Sequence, residues 1–83
     1  MTKQQQQMID YIGAKVIRRP GMQIEVDTPL VSSGLIDSFA LVDILSKLEQ
    51  ITHMRIPVGK VQAKDMDSVR SMFATAARVG KPL

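Results

Sequence analysis

Apolar residues recur at steps of three and four along three stretches of the chain, which predicts three amphipathic helices. The first helix is expected from about Thr2 or Lys3 to Arg18, because Pro20 ends the pattern. The second is expected to begin at or just after Ser38, and the third occupies the last part of the chain. The apolar positions are Met8, Ile9, Ile12, Val16 and Ile17 in the first helix, Leu41, Ile44, Leu45, Leu48 and Ile51 in the second, and Val69, Met72, Phe73, Ala76 and Val79 in the third.

The segments between these helices are irregular in sequence. Residues 22–27 alternate apolar and polar side chains, a period of two that fits either a strand or an extended loop held by its apolar residues. The loop is favoured, because no second alternating run exists to pair with it. Residues 59–64 are expected to form one or two helical turns, and Asp65 or Asp67 to cap the third helix. The predicted fold is an all-α bundle of three long helices and one short helix, with a long first connection.

The composition fits one small domain and excludes several kinds of chemistry. The 83 residues, 45% of them hydrophobic, suffice for one core, so residues 1–83 are interpreted as a single domain. With no cysteine, the chain has no disulfide, no Cys-ligated zinc and no thiol nucleophile. The single histidine, His53, has no cysteine partner, and no carboxylate pair has the spacing of a calcium loop, so neither catalysis nor a bound metal is expected. No apolar run reaches the length of a membrane span and the first residues are polar, so the expected location is the cytoplasm.

Charge is distributed unevenly along the chain. The net charge is +3, yet residues 25–49 hold a net −4 and the remainder a net +7. The basic residues fall on the polar faces or at the ends of the predicted helices, where a solvated surface is the usual explanation. Because no nucleic-acid-binding motif or aromatic platform accompanies them, nucleic acid is not an expected partner.

The pair Asp37-Ser38 stands where an irregular segment gives way to the second helix. A helix start leaves backbone N–H groups unpaired and has the positive end of the helix dipole, so a phosphate ester on Ser38 would be stabilised there. Asp and Ser are also the commonest helix caps, and a single Asp-Ser before an apolar run is ordinary capping in most proteins. A capping box needs Glu or Gln three residues after the cap, and Ala40 or Leu41 stands at that position. Capping of this helix therefore needs only one polar residue, either Asp37 or Ser38.

A longer pattern surrounds this pair. Gly34-Leu35-Ile36-Asp37-Ser38-Phe39, followed by a helix ending in Lys47-Leu48-Glu49, resembles the prosthetic-group site of the carrier protein family, which comprises acyl, peptidyl and D-alanyl carriers. Thr28-Pro29-Leu30 ahead of the site and Ile56-Pro57 after the helix also resemble that family, as does the final amphipathic helix. The resemblance covers nearly the whole chain and implies a small acyl-carrier-like helical bundle.

The resemblance implies a cofactor and a set of partners. The family carries 4'-phosphopantetheine on the Ser of a Gly-x-x-Asp-Ser-hydrophobic motif, which implies attachment at Ser38. The modifying transferase uses magnesium with coenzyme A, and the resemblance places Asp37 close to that metal. The implied partners are a phosphopantetheinyl transferase, a ligase that loads an acyl or aminoacyl group as a thioester, and a downstream synthase or tailoring enzyme. The chain itself is then a monomeric carrier and not an enzyme.

The resemblance assigns partner recognition to the flank of the second helix. For Phe39 and Val42, burial in the core is the alternative interpretation. Ala40, Ser46 and Lys47 make this helix less acidic than in carriers of fatty-acid synthesis, so the chain looks closer to discrete aminoacyl or peptidyl carriers. The alternative function is an unmodified helical protein-interaction module that keeps the carrier fold without the arm. The predicted contact residues are Leu35, Ile36, Phe39, Val42, Asp43 and Ser46.

Overall fold

Three helices dominate the computed structural model, which describes residues 2–19 and 21–83, so the helix stop predicted at Pro20 lies outside the described residues. The predicted all-α bundle with a long first connection is confirmed. The predicted short helix is replaced by two 3₁₀ helices, and a pair of two-residue strands is added. The elements are α1 (Lys3–Tyr11) with a π-helical continuation (Ile12–Val16), α2 (Ala40–Thr52), β1 (Met54–Arg55), the 3₁₀ helices Val58–Lys60 and Ala63–Met66, α3 (Val69–Val79) and β2 (Lys81–Pro82).

The first two helices run antiparallel. At the start of α1 the Gln4 side-chain amide donates to the Ile51 carbonyl at 3.2 Å, near the end of α2. Farther along, the Lys47 ammonium lies 5.2 Å from the centre of the Tyr11 ring, a cation–π contact between the helices. Because the start of α1 meets the end of α2, the later turns of α1 extend toward the beginning of α2.

The first helix ends earlier than its apolar pattern predicts. In the last turn the Ile17 N–H donates to the Ile12 carbonyl at 2.8 Å, which is the i to i+5 hydrogen bond of a π-helix. Arg18 then adopts a left-handed conformation with φ of 59°, and the Arg19 N–H returns to the Gly13 carbonyl at 3.1 Å. The predicted end at Arg18 is therefore wrong by two residues, because a left-handed turn satisfies the last carbonyl groups first.

Aliphatic and methionine side chains form the core between the helices. The long first connection contributes Ile24, Leu30 and Ile36 to this core. Through these residues the connection is held against the bundle, so residues 22–27 form the predicted loop and not a strand. The largest fully buried side chains are Met8, Ile12, Leu30, Ile44, Leu48, Met66, Val69 and Met72.

The start of α3 differs from the prediction. Ser68 is the cap, in place of Asp65 or Asp67, and its hydroxyl accepts a hydrogen bond from the Ser71 N–H at 3.1 Å. Asp65 instead accepts the Gln62 N–H at 2.9 Å and caps the preceding 3₁₀ helix. Asp67 faces the first connection, where its carboxylate accepts backbone N–H groups.

The strand pair joins the end of α2 to the C-terminal residues. The two strands are antiparallel, with Met54 opposite Pro82. Gly80 permits this return, because a Cβ atom at that position would lie 2.3 Å from the Ala76 carbonyl oxygen. Strands of two residues leave no periodic signal in a sequence. Among the described residues, no helix is long and apolar enough to cross a membrane.

Candidate functional site

Residues 30–37, which we term the site loop, are the part of the first connection that leads into α2. Leu30 and Ile36 are buried near its two ends, and the Ile36 N–H donates to the Leu30 carbonyl at 3.1 Å, which closes the loop. Gly34 adopts a left-handed conformation with φ of 81°, which a glycine takes without steric cost. The site loop therefore has a defined shape up to Ser38, which follows it directly and precedes α2.

The capping hydrogen bond at the start of α2 comes from Asp37. The Ala40 N–H donates to the Asp37 carboxylate at 3.0 Å and to the Asp37 carbonyl at 3.2 Å. Ser38 and Phe39 form a tight turn ahead of the helix, in which the Leu41 N–H donates to the Ser38 carbonyl at 3.3 Å. Ser38 is exposed to solvent. Its oxygen is thus accessible beside the positive end of the helix dipole.

Four of the six predicted contact residues are exposed beyond Ser38. Phe39 is 88% exposed and Val42 is 73% exposed, so the alternative that they belong to the core is wrong. Asp43 and Ser46 are also exposed, in the first and second turns of α2. These four side chains therefore stay available as predicted contacts with a partner.

The other two predicted contacts, Leu35 and Ile36, lie in the site loop and have different environments. Leu35 is half-buried. Ile36 is 4% exposed and packs in the core, so its prediction as a partner contact is wrong. Both residues lie in a bend of the site loop, in which one of the two adjacent apolar side chains packs inward. Which one turns inward depends on the tertiary packing.

An apolar groove of about 190 Å³ opens between α2 and the 3₁₀ helices. Val58, which is 71% exposed, lies in this groove together with Val42. Val58 was not predicted from the sequence, because a single apolar residue after Ile56-Pro57 belongs to no periodic pattern. The groove is lined by Leu41, Val42, Leu45, Val58, Val61, Gln62, Ala63 and Met66.

The carboxylate of Asp67 contacts the first three residues of the site loop. Its Oδ1 accepts the N–H groups of Val31 and Ser32 at 2.8 Å each and that of Leu30 at 3.2 Å. Its Oδ2 accepts the Ser32 hydroxyl at 2.8 Å. The hydrogen bonds from Ser32, followed by those from Val31 and Leu30, hold the pKa of Asp67 below its usual value against the opposing effect of desolvation.

A second carboxylate, Asp27, also joins the first connection to α3. Arg70 binds it through two parallel hydrogen bonds, with Nε 2.6 Å from Oδ1 and Nη2 3.1 Å from Oδ2. The Arg70 N–H donates to the Val26 carbonyl at 2.9 Å. The hydrogen bond from Arg70 lowers the pKa of Asp27. Because both side chains are exposed, we expect salt to weaken this pair strongly.

Acid is expected to destabilise the protein through Asp27 and Asp67. Each carboxyl has a folded-state pKa below its unfolded value of about 3.9, so its contribution is complete above that value and is lost as the pH falls through the folded-state pKa. We expect the free energy of unfolding, measured with urea, to fall as the pH drops below about 4 and to continue falling as each folded-state pKa is passed. In Asp67→Asn the decline should be shallower and the value at neutral pH lower. A variant with the wild-type pH dependence would contradict this role of Asp67.

A comparison with protein families gives a match that includes the site. The family model described as phosphopantetheine attachment site matches residues 9–76, which contain the site loop, Ser38 and all of α2. Proteins of that family carry 4'-phosphopantetheine covalently on a serine. Neither the curated proteins nor the solved structures gave a match.

Proposed function

The chain belongs to the phosphopantetheine attachment-site family, and we propose that it is a carrier protein with the 4'-phosphopantetheine arm on Ser38. When bound, the arm supplies a thiol that holds an acyl or aminoacyl group as a thioester, chemistry that a chain without cysteine lacks. The protein presents that group to partner enzymes. The observation that supports this proposal most is the exposed Ser38 hydroxyl at the start of α2, where Asp37 provides the cap.

The hydroxyl groups nearest to Ser38 in the sequence support its choice as the attachment site. The Ser32 hydroxyl donates to Asp67 at 2.8 Å, and the Ser33 hydroxyl donates to the Pro29 carbonyl at 2.6 Å, so both are engaged within the protein. Ser46 is exposed but lies in the second turn of α2, away from the helix start.

The surroundings of Ser38 suit a phosphate ester. The start of a 13-residue helix stabilises negative charge through the helix dipole. The hydrogen bond to Ala40 fixes the Asp37 carboxylate next to Ser38, where the magnesium ion of the transferase is expected. The chain thus holds the accepting hydroxyl outward and keeps a carboxylate beside it, while the transferase brings coenzyme A.

The apolar side chains beside Ser38 form the proposed contact surface for partner enzymes. Phe39 is exposed in the turn before α2, and Val42 and Val58 are exposed in the groove. An apolar side chain of the transferase, the loading ligase or a downstream synthase would remove these three residues from water on docking. The surface is completed by Leu35, Asp43 and Ser46.

The charge on α2 favours aminoacyl or peptidyl partners over enzymes that dock on a dense acidic helix. Within α2, Asp43 and Glu49 are the acidic residues and Lys47 is the basic one. Glu49 is turned to the protein, where its carboxylate accepts the Ile56 N–H at 2.8 Å. A partner that depends on rows of carboxylates would therefore meet mainly Asp43, and apolar contact must supply most of the recognition.

The mass of the intact protein tests the function. After incubation with coenzyme A and a promiscuous phosphopantetheinyl transferase, the wild-type chain is expected to gain one phosphopantetheine, with no gain when the transferase is omitted. An unchanged mass, while a known carrier is loaded in the same reaction, would contradict the proposal. That result would favour the unmodified interaction module, since the exposed apolar surface exists without the arm.

A further inference from the structure

One side chain connects the beginning of α3 to the beginning of the site loop. Four hydrogen bonds converge on the Asp67 carboxylate, three from backbone N–H groups and one from the Ser32 hydroxyl. The Asp67 carbonyl adds a further bond, from the Leu30 N–H at 2.7 Å. Hydrogen bonds to an ionised carboxylate are stronger than those between neutral groups. Asp67 therefore restrains three consecutive residues of the site loop.

A continuous series of bonds leads from this contact to Ser38. The Leu30 N–H donates to the Asp67 carboxylate at 3.2 Å, and the Leu30 carbonyl accepts the Ile36 N–H at 3.1 Å across the loop. Asp37 follows directly and bonds to the Ala40 N–H at 3.0 Å. If Leu30 moves, the opposite end of the site loop loses its partner just before Ser38.

Capping of α3 does not require Asp67. Ser68 provides that cap through its bond to the Ser71 N–H at 3.1 Å. The Asp67 side chain is half-buried and turned away from α3, and the backbone groups it binds lie 35 to 37 positions earlier in the chain. Its side-chain interactions are thus directed to the site loop.

We propose that Asp67 is a positioning residue for Ser38, and that its carboxylate keeps the site loop in the shape that the modifying transferase recognises. This inference rests on the proposed function of Ser38. Asp67 does not touch the hydroxyl that is modified, and its carboxylate acts through the backbone of residues 30–32 and the bond between Leu30 and Ile36. Without the carboxylate, the site loop spends part of its time in other conformations. The apparent affinity for the transferase then falls in proportion to the fraction of the carrier that keeps the competent conformation.

Steady-state loading kinetics test the proposal, with the carrier as the varied substrate. Asp67→Ala should raise the KM for the carrier about tenfold and leave kcat within about twofold, because only the population of competent carrier changes. Asp67→Asn keeps one acceptor oxygen and should raise the KM less. Asp27→Ala is the matched control, since it removes the other carboxylate between the first connection and α3 but contacts no site-loop residue. Its KM should stay within about twofold of wild type.

Amide hydrogen exchange gives a second readout that needs no arm. In Asp67→Ala the amides of residues 30–36 should exchange faster, while those in the middle of α2 keep their rates. An unchanged KM in the folded variant, or an equal rise in Asp27→Ala, would overturn the proposal. If Asp67→Ala does not fold, Asp67→Asn decides by the same criteria. If the wild type is not loaded at all, the proposed function fails, and exchange in residues 30–36 alone decides whether Asp67 holds the site loop.

Discussion

Ser38→Ala is expected to abolish loading with phosphopantetheine while the protein stays folded. The substitution removes the only atom to which the arm is proposed to attach, so the intact mass should not change after reaction with the transferase. Stability should change by no more than about 0.5 kcal/mol, because the side chain is exposed and Asp37 supplies the cap of α2. Urea unfolding of the unmodified proteins measures this second quantity.

Ser46→Ala is the matched control for that experiment. It removes another exposed hydroxyl from the same helix and should still gain one phosphopantetheine. Loading of Ser38→Ala would place the arm elsewhere and contradict the proposed site. Unfolding of Ser38→Ala would mean that its hydroxyl chiefly serves the fold, against the exposure seen in the structure.

Ile36→Ala is expected to have the largest effect on stability at the site loop. The side chain is 4% exposed in the core, and truncating a buried isoleucine to alanine typically costs about 2–5 kcal/mol. Domains of this size have a net stability of only about 5–10 kcal/mol, so a large part of the fold's margin would be lost. Urea unfolding at neutral pH measures the change.

Leu35→Ala provides the comparison for Ile36→Ala. Leu35 is the adjacent apolar residue and is half-buried, so its truncation should cost clearly less, about 1 kcal/mol. Equal losses in the two variants would contradict the assignment of Ile36 to the core. They would also restore Ile36 as a candidate contact with a partner.

Local patterns predicted most of the helical fold. The apolar steps of α2 and α3 located both helices, because a surface helix must bury one continuous face. The first helix was extended too far, since the left-handed turn at Arg18 has no mark in the apolar pattern. Strands β1 and β2 were missed because they pair residues at the end of α2 with residues at the C-terminus, and two residues cannot show alternation.

For the candidate site, too, local features were predicted from the sequence, whereas features that depend on long-range contacts were not. Asp37 and Ser38 were predicted from their position at a helix start and from the family resemblance. The burial of Ile36 beside half-buried Leu35 was not, because two adjacent apolar residues look alike until the loop closes. The role of Asp67 depends on bonds to residues 30–32, far away in the sequence, so its position before α3 suggested only a cap.

Fragment mass spectrometry of the loaded wild-type protein tests the attachment site most directly. The phosphopantetheine increment is expected only on fragments that contain Ser38, while fragments ending at Asp37 or beginning at Phe39 should keep their unmodified masses. An increment on Ser46, or on any fragment without Ser38, would contradict the proposed attachment at Ser38.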